Sequence, residues 1–178
     1  MIDDGGRSDD VTRRRAAILM PALLVSRDGR MRIAKTDAKT DLSQVELAVS
    51  GFSLVLVDGE ASAGGDDVHP RTGIGLSRDG RFLVIVVVDG RQPASAGATT
   101  AQVGTWLKHF GAHVGINMDG GGSTTLAWWD PGSEGDGKCR LLNRPVGAGR
   151  PADARSGSAF APTERANGNN LGICLRLR

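Results

Sequence analysis

Three short stretches of this chain gather residue types that could do chemistry. The first is Asn117-Met-Asp-Gly-Gly-Gly-Ser-Thr-Thr-Leu126, where an amide and an acid precede three glycines and three hydroxyls. Glycine loses the most backbone freedom on folding, so Gly120, Gly121 and Gly122 in a row weaken any regular element. Bare backbone there could offer several amide N–H groups to one anion, with Ser123 and Thr124 adding hydroxyls and Asp119 a carboxylate. The alternative is a corner where two strands pack closely. No Gly-Lys-Ser/Thr follows, so this is not a P-loop, and the spacing is not that of a dinucleotide fingerprint.

The second stretch is His69-Pro-Arg-Thr72, directly before a strand. The planar fork of Arg71 suits a carboxylate or a phosphate, although an arginine in such a place also satisfies turn carbonyls. The third is Asp89-Gly-Arg-Gln92, at the end of an apolar run. Asp-Gly is a turn signal, but a carboxylate at the mouth of an apolar strand is also partly desolvated, which suits an acid or base. His69, His109 and His113 lack the spacing of metal ligands on one helix face. A calcium-binding reading on Asp66, Asp67 and Asp119 has no EF-hand spacing behind it, and no cofactor is implied.

Elements of several kinds must position these residues. Leu23–Val25 and Met31–Ile33 read as a hairpin across Arg27-Asp28-Gly29-Arg30. Residues 40–52 fit neither period and are expected to form a short helical turn, then a bend at Ser50-Gly51. Residues 53–60 read as a strand closed by Asp58-Gly59. Thr72–Leu76 and Phe82–Val88 read as a hairpin over Arg78-Asp79-Gly80-Arg81. The second of these is continuously apolar, which predicts a central strand covered on both faces. Val103, Trp106, Leu107 and Phe110 fall at i, i+3, i+4 and i+7 and predict the one clear helix, at about residues 100–110. Thr99 or Thr100 is its N-cap, Gln102 is placed for a capping box on Thr99, and Gly111 is placed to end it.

His113–Met118, the run from Ser123 to Trp129, and Cys139–Leu142 read as further short strands. Both Trp128 and Trp129 are assigned to the core. Leu171, Ile173, Leu175 and Leu177 alternate as a closing strand. Many strands with one helix predict an α+β fold with a mixed, mainly antiparallel sheet and long glycine-rich loops.

The chain has 178 residues, enough for a single domain with a sizeable core. Glycine accounts for 26 of them, about twice the usual ~7%, without a Gly-X-Y period, which places it in turns and tight loops. Net charge is +2 and the basic residues are dispersed, which argues against nucleic acid. Residues 1–15 read as a flexible tail. Arg13–Arg15 before Ala16–Val25 has a slight look of a secretory signal but lacks a small-x-small site, so one or two buried strands are expected instead. The run is too short to span a bilayer. Residues 143–170 hold almost no large apolar side chains and read as a long loop or insertion. Cys139 and Cys174 match no zinc pattern and could form one bridge.

Taken together, the run from His69 to Gln92, the helix, and the stretch Gly115–Leu126 resemble the phosphodiester glycosidase family, which includes the lysosomal uncovering enzyme. The likeness spans about Leu23 to Leu126 and resumes at Leu141-Leu-Asn-Arg-Pro145 and at Glu164-Arg-Ala-Asn-Gly-Asn-Asn-Leu-Gly-Ile173. It implies hydrolysis of the glycosidic bond of a sugar-1-phosphodiester, with a small-molecule or glycan substrate. Residue by residue, it implies a site of Arg71, Thr72, Asp89, Asn117, Asp119, Gly120, Gly121, Gly122, Ser123 and Thr124, joined by Arg165. Arg71, Asp89 and Asp119 are the expected catalytic residues and the others bind substrate. The resemblance favours a secreted or cell-envelope setting. Family members carry an upstream Asn-Gly-Gly-Phe-Phe-like block, whereas residues 3–10 here have only the paired glycines. The alternative is therefore a non-catalytic carbohydrate- or phosphate-binding domain.

Overall fold

A computed structural model describes residues 19–129, 132, 139–146 and 170–174. Two sheets and one helix form three layers. The first sheet holds β1 (Met20–Ser26), β2 (Met31–Thr36) and β3 (Val45–Ser50) in the order β2-β1-β3. The second holds β4 (Ser53–Val57), β5 (Glu60–Ala61), β6 (Arg71–Leu76), β7 (Leu83–Val88) and β8 (Val114–Asn117) in the order β5-β4-β8-β6-β7. Helix α1 (Thr100–His109) lies on the far face of the second sheet. A separate hairpin pairs β9 (Ala127–Trp129) with β10 (Cys139–Leu141). The fold is α+β as expected. Every pairing among these strands is antiparallel, so the parallel minority of a mixed sheet does not occur among the described residues.

The Asp-Gly turns work as the sequence predicts. Gly29, Gly59 and Gly80 all take positive φ, which closes the turns after Asp28, Asp58 and Asp79. At the β6–β7 turn Asp79 accepts from the Ser77 hydroxyl at 2.6 Å and the Arg81 amide at 3.1 Å. The Ser77 bond first, and then the Arg81 amide, hold its carboxyl below the ordinary aspartate range. The helix carries the expected capping box, with the Thr99 hydroxyl accepting from the Gln102 amide and the Gln102 side chain accepting from the Thr99 amide.

Two core clusters explain the layering. Leu23, Val49, Ile74, Leu76, Ile116 and Met118 fill the space between the sheets. Val55, Leu56, Ala98, Val103, Leu107 and Ala112 fill the space under the helix. Because side chains alternate across a strand, Ile74 and Ile116 face the first sheet while Gly73, Gly75 and Gly115 face the helix. A Cβ on Gly73 would sit 2.5 Å from Val103, and one on Gly115 2.6 Å from Leu107. The helix is thus seated directly on bare backbone.

Several expectations are corrected. Residues 45–50 form β3 rather than a helical turn. It is an edge strand with Glu46, Leu47 and Ala48 exposed and Val49 buried, so its apolar pattern is too sparse to read. Strand β7 lies at the sheet edge rather than the centre. Val84, Val86 and Val88 pack toward the helix and Ile85 is 37% exposed, while the central places go to the glycine-bearing β6 and β8. The buried helix face is Val103, Gly104 and Leu107. Trp106 and Phe110 are exposed and stack on one another, beside His109. Trp128 and Trp129 are exposed on the β9–β10 hairpin rather than in the core. Cys139 and Cys174 are both free and exposed. Leu171–Cys174 make no strand, although Leu171 packs against the core between the sheets. Residues 1–15, most of 143–170 and Leu175–Arg178 lie outside the described residues.

Candidate functional site

The antiparallel order of the second sheet brings the start of β4, the end of β8, the start of β6 and the segment after β7 to one end. There a cleft of about 420 Å³ opens. Asn117, Asp119 and Gly120–Gly122 line one wall, and His69, Arg71 and Arg91 the other. Phe52, Ser53, Thr100 and Met118 also line it. The two walls meet through main chain. The Gly121 amide donates to Pro70 carbonyl at 2.9 Å, and a Cβ on Gly120 would lie 2.6 Å from the same oxygen. The glycines are therefore required by close approach of two loops.

This corrects the expectation that three glycine amides are turned toward an anion. Gly120 donates to Asp119 Oδ1 at 2.9 Å and Gly121 to Pro70, and residues 121–123 wind into a single 3-10 turn. Only the Gly122 amide lacks a hydrogen bond among the described residues. Arg71 is likewise engaged. Its Nε donates to the Ala98 carbonyl at 3.1 Å and its Nη2 to the Asp67 carbonyl at 2.9 Å, tying two loops together.

Asn117 is 3% exposed, and its Nδ2 donates to the Met118 carbonyl at 2.9 Å. Its Oδ1 is buried at the cleft wall with no partner among the described residues. A buried amide oxygen left unpaired costs about 1–3 kcal/mol, so the cleft wall carries an uncompensated acceptor.

Asp89 lies in a second layer. Its carboxylate accepts from Asn143 Nδ2 at 2.9 Å and from the Arg144 amide at 3.0 and 3.1 Å. Asn143 also donates to the Thr124 carbonyl and accepts from the Leu126 amide, and Gln92 Nε2 donates to the Arg144 carbonyl at 2.6 Å. Asp89 and Gln92 thus clamp Asn143 and Arg144 beneath the segment that follows the glycines. Asp89 does not line the cleft, and Thr124 is fully buried with an unpartnered hydroxyl.

Thr72 and Ser123 line a neighbouring groove of about 710 Å³ between the sheets, which shares Phe52, Met118 and Asp119 with the cleft. Arg165 lies outside the described residues. Asp66, Asp67 and Asp119 form no metal-binding group, and among the described residues no cluster of three or more His, Cys, Asp or Glu does. His69 and Arg91 were missed as site residues. Both stand inside the motifs already singled out, and their side-chain direction depends on loop conformation that spacing does not reveal.

The fold and cleft define an α+β protein that gathers arginine, carboxylate and a buried amide at one end of an antiparallel sheet. The family model for phosphodiester glycosidases matches residues 2–163, and the chain belongs to that family. Among solved structures it is similar to the catalytic domain of zebrafish N-acetylglucosamine-1-phosphodiester alpha-N-acetylglucosaminidase, auto-inhibited by its pro-peptide. That match has 21% identity and a TM-score of 0.61, over 84% of this chain and 51% of that one. The chain thus spans about half the length of the zebrafish chain. A hypothetical protein from Synechocystis is matched at 20% identity and a TM-score of 0.43, over 65% of this chain and 21% of that one. A comparison with curated proteins finds no match. No helix among the described residues is long and apolar enough to cross a membrane.

Proposed function

We propose that the chain is a hydrolase that cleaves the glycosidic bond of a sugar-1-phosphodiester, releasing free sugar and a phosphomonoester. The observation that carries this reading is the shared cleft of Asp119, Asn117 and two guanidinium groups. A phosphomonoester leaves already charged and weakly basic, so the reaction needs stabilisation of growing negative charge more than protonation by an acid. The cationic wall supplies that stabilisation. The Asn117 Oδ1 accepts a sugar hydroxyl, and Asp119 acts at the anomeric carbon as nucleophile or base. Asp89 is a positioning residue, because its carboxylate is already spanned by Asn143 and Arg144. Arg71 fixes the loops around His69, and Thr72, Ser123 and Thr124 shape the floor. Arg165 is retained as a substrate-binding residue on the resemblance alone.

A second reading, a non-catalytic carbohydrate- or phosphate-binding domain, is favoured by one observation. Among the described residues, Asp119 is the single carboxylate in the lining of the cleft, where glycosidases ordinarily use two. Incubation with a panel of sugar-1-phosphodiesters separates the two. Release of free sugar, abolished in a folded Asp119→Asn variant, supports the hydrolase. Saturable binding without release supports the binding domain.

A further inference from the structure

Arg91 is the third residue of the segment after β7. It is a large side chain held at φ 55, in the left-handed region that such residues avoid, and backbone strain of this kind persists where surrounding structure enforces it. The conformation turns its guanidinium over the glycine turn. A Cβ on Gly121 would lie 3.3 Å from Nη1 and 3.5 Å from Nη2, so Gly121, itself at φ 62, leaves room for the fork.

The side-chain partner of Arg91 among the described residues is His69, with Nη2 3.3 Å from Nδ1. A guanidinium can only donate, so the contact requires Nδ1 as acceptor and the ring proton on Nε2. Arg91 lines the cleft together with Asn117, whose Oδ1 is buried without a partner among the described residues. Arg71, by contrast, spends Nε and Nη2 on loop carbonyls.

The charge of the cleft agrees. Among the described residues two arginines and one aspartate line it, an excess of positive charge of the sign that suits a phosphodiester. We propose that Arg91, seated by His69 over Gly121, is the residue that grips the substrate phosphate, with Arg71 as the brace that shapes the loop beneath it. The assignment of that phosphate to a sugar diester rests on the hydrolase reading above, whereas the anion grip itself does not.

The test is titration of the full chain with inorganic phosphate at constant ionic strength, followed by amide chemical shifts, in parallel with the diester assay. Arg91→Gln is expected to weaken phosphate binding at least tenfold, and Arg91→Lys, which keeps charge but loses the fork, by a smaller factor. Arg78→Gln, which removes the same charge from the exposed β6–β7 turn, is the control and keeps wild-type affinity. Phosphate binding by the wild type that depends on Arg91, with no sugar released from any diester, upholds the grip and defeats the hydrolase reading. Wild-type affinity in a folded Arg91→Gln, an equal loss in Arg78→Gln, or no binding by the wild type overturns the grip.

Discussion

Asp119 and Asp89 are both aspartates followed by glycine at the end of a strand, and the structure gives them different work. Asp119 is exposed at the cleft, whereas Asp89 is enclosed by Asn143 and Arg144. Hydrogen bonds to a charged group contribute about 1.5–3 kcal/mol each. Asp89→Asn keeps the shape but replaces one acceptor oxygen by a donor that faces an amide N–H. Its expected outcome is a loss of about 1–3 kcal/mol in denaturant unfolding, with a lowered midpoint. Asp119→Asn, whose amide oxygen can still accept from the Gly120 amide, is expected to remain folded with a cooperative unfolding transition. Equal midpoints for wild type and Asp89→Asn would remove the clamp from the account of the site.

At the scale of elements, the glycines of β6 and β8 decide how close the helix can come. A Cβ on Gly75 would meet Ala112 Cβ at 2.6 Å and the Val114 carbonyl oxygen at 3.2 Å, and neither neighbour has a flexible end to withdraw. Gly75→Ala therefore forces apart the strand and the segment that follows the helix. The overpacking is expected to cost about 1–3 kcal/mol, read as a lower unfolding midpoint by circular dichroism. An unchanged midpoint would mean that the seat is loose. What could be read from the sequence follows from the same geometry. Asp-Gly turns and the Thr99–Gln102 capping box are local chemistry, so the hairpins and the helix are visible without a fold. The rank of a strand within its sheet is not local. β7 is the most apolar strand yet lies at an edge, because β6 and β8 gained their central places by having no side chains under the helix. The site divides the same way. Asn117, Asp119 and the glycines announce themselves by type, while Arg91 becomes visible only once φ at that residue aims it over Gly121. The partner of Asp89 stands far along the chain at Asn143, and nothing near Asp89 specifies it.

At the scale of the whole molecule, the core between the sheets runs directly into the cleft through one side chain. Met118 is 9% exposed, belongs to the cluster with Leu23, Val49, Ile74, Leu76 and Ile116, and lines both the cleft and the neighbouring groove. It also stands between Asn117 and Asp119, and its amide donates to the Thr72 carbonyl at 2.8 Å. Leu23 is 1% exposed in the same cluster but lines neither cavity. Leu23→Ala and Met118→Ala are each expected to destabilise by about 2–5 kcal/mol, through lost burial and the cavity left behind. Their effects on the site differ. Collapse around position 118 moves its two neighbours, and a misplacement of about 1 Å can cost ~100-fold in rate. Sugar release by Met118→Ala, measured well below its melting temperature, is expected to fall at least tenfold. Leu23→Ala under the same conditions stays within about twofold, and Met118→Leu, which nearly conserves volume, restores both stability and rate. Equal losses of rate in the two alanine variants would show that the inter-sheet core supports the site only by keeping the protein folded, with no special part for the residue between the amide and the acid.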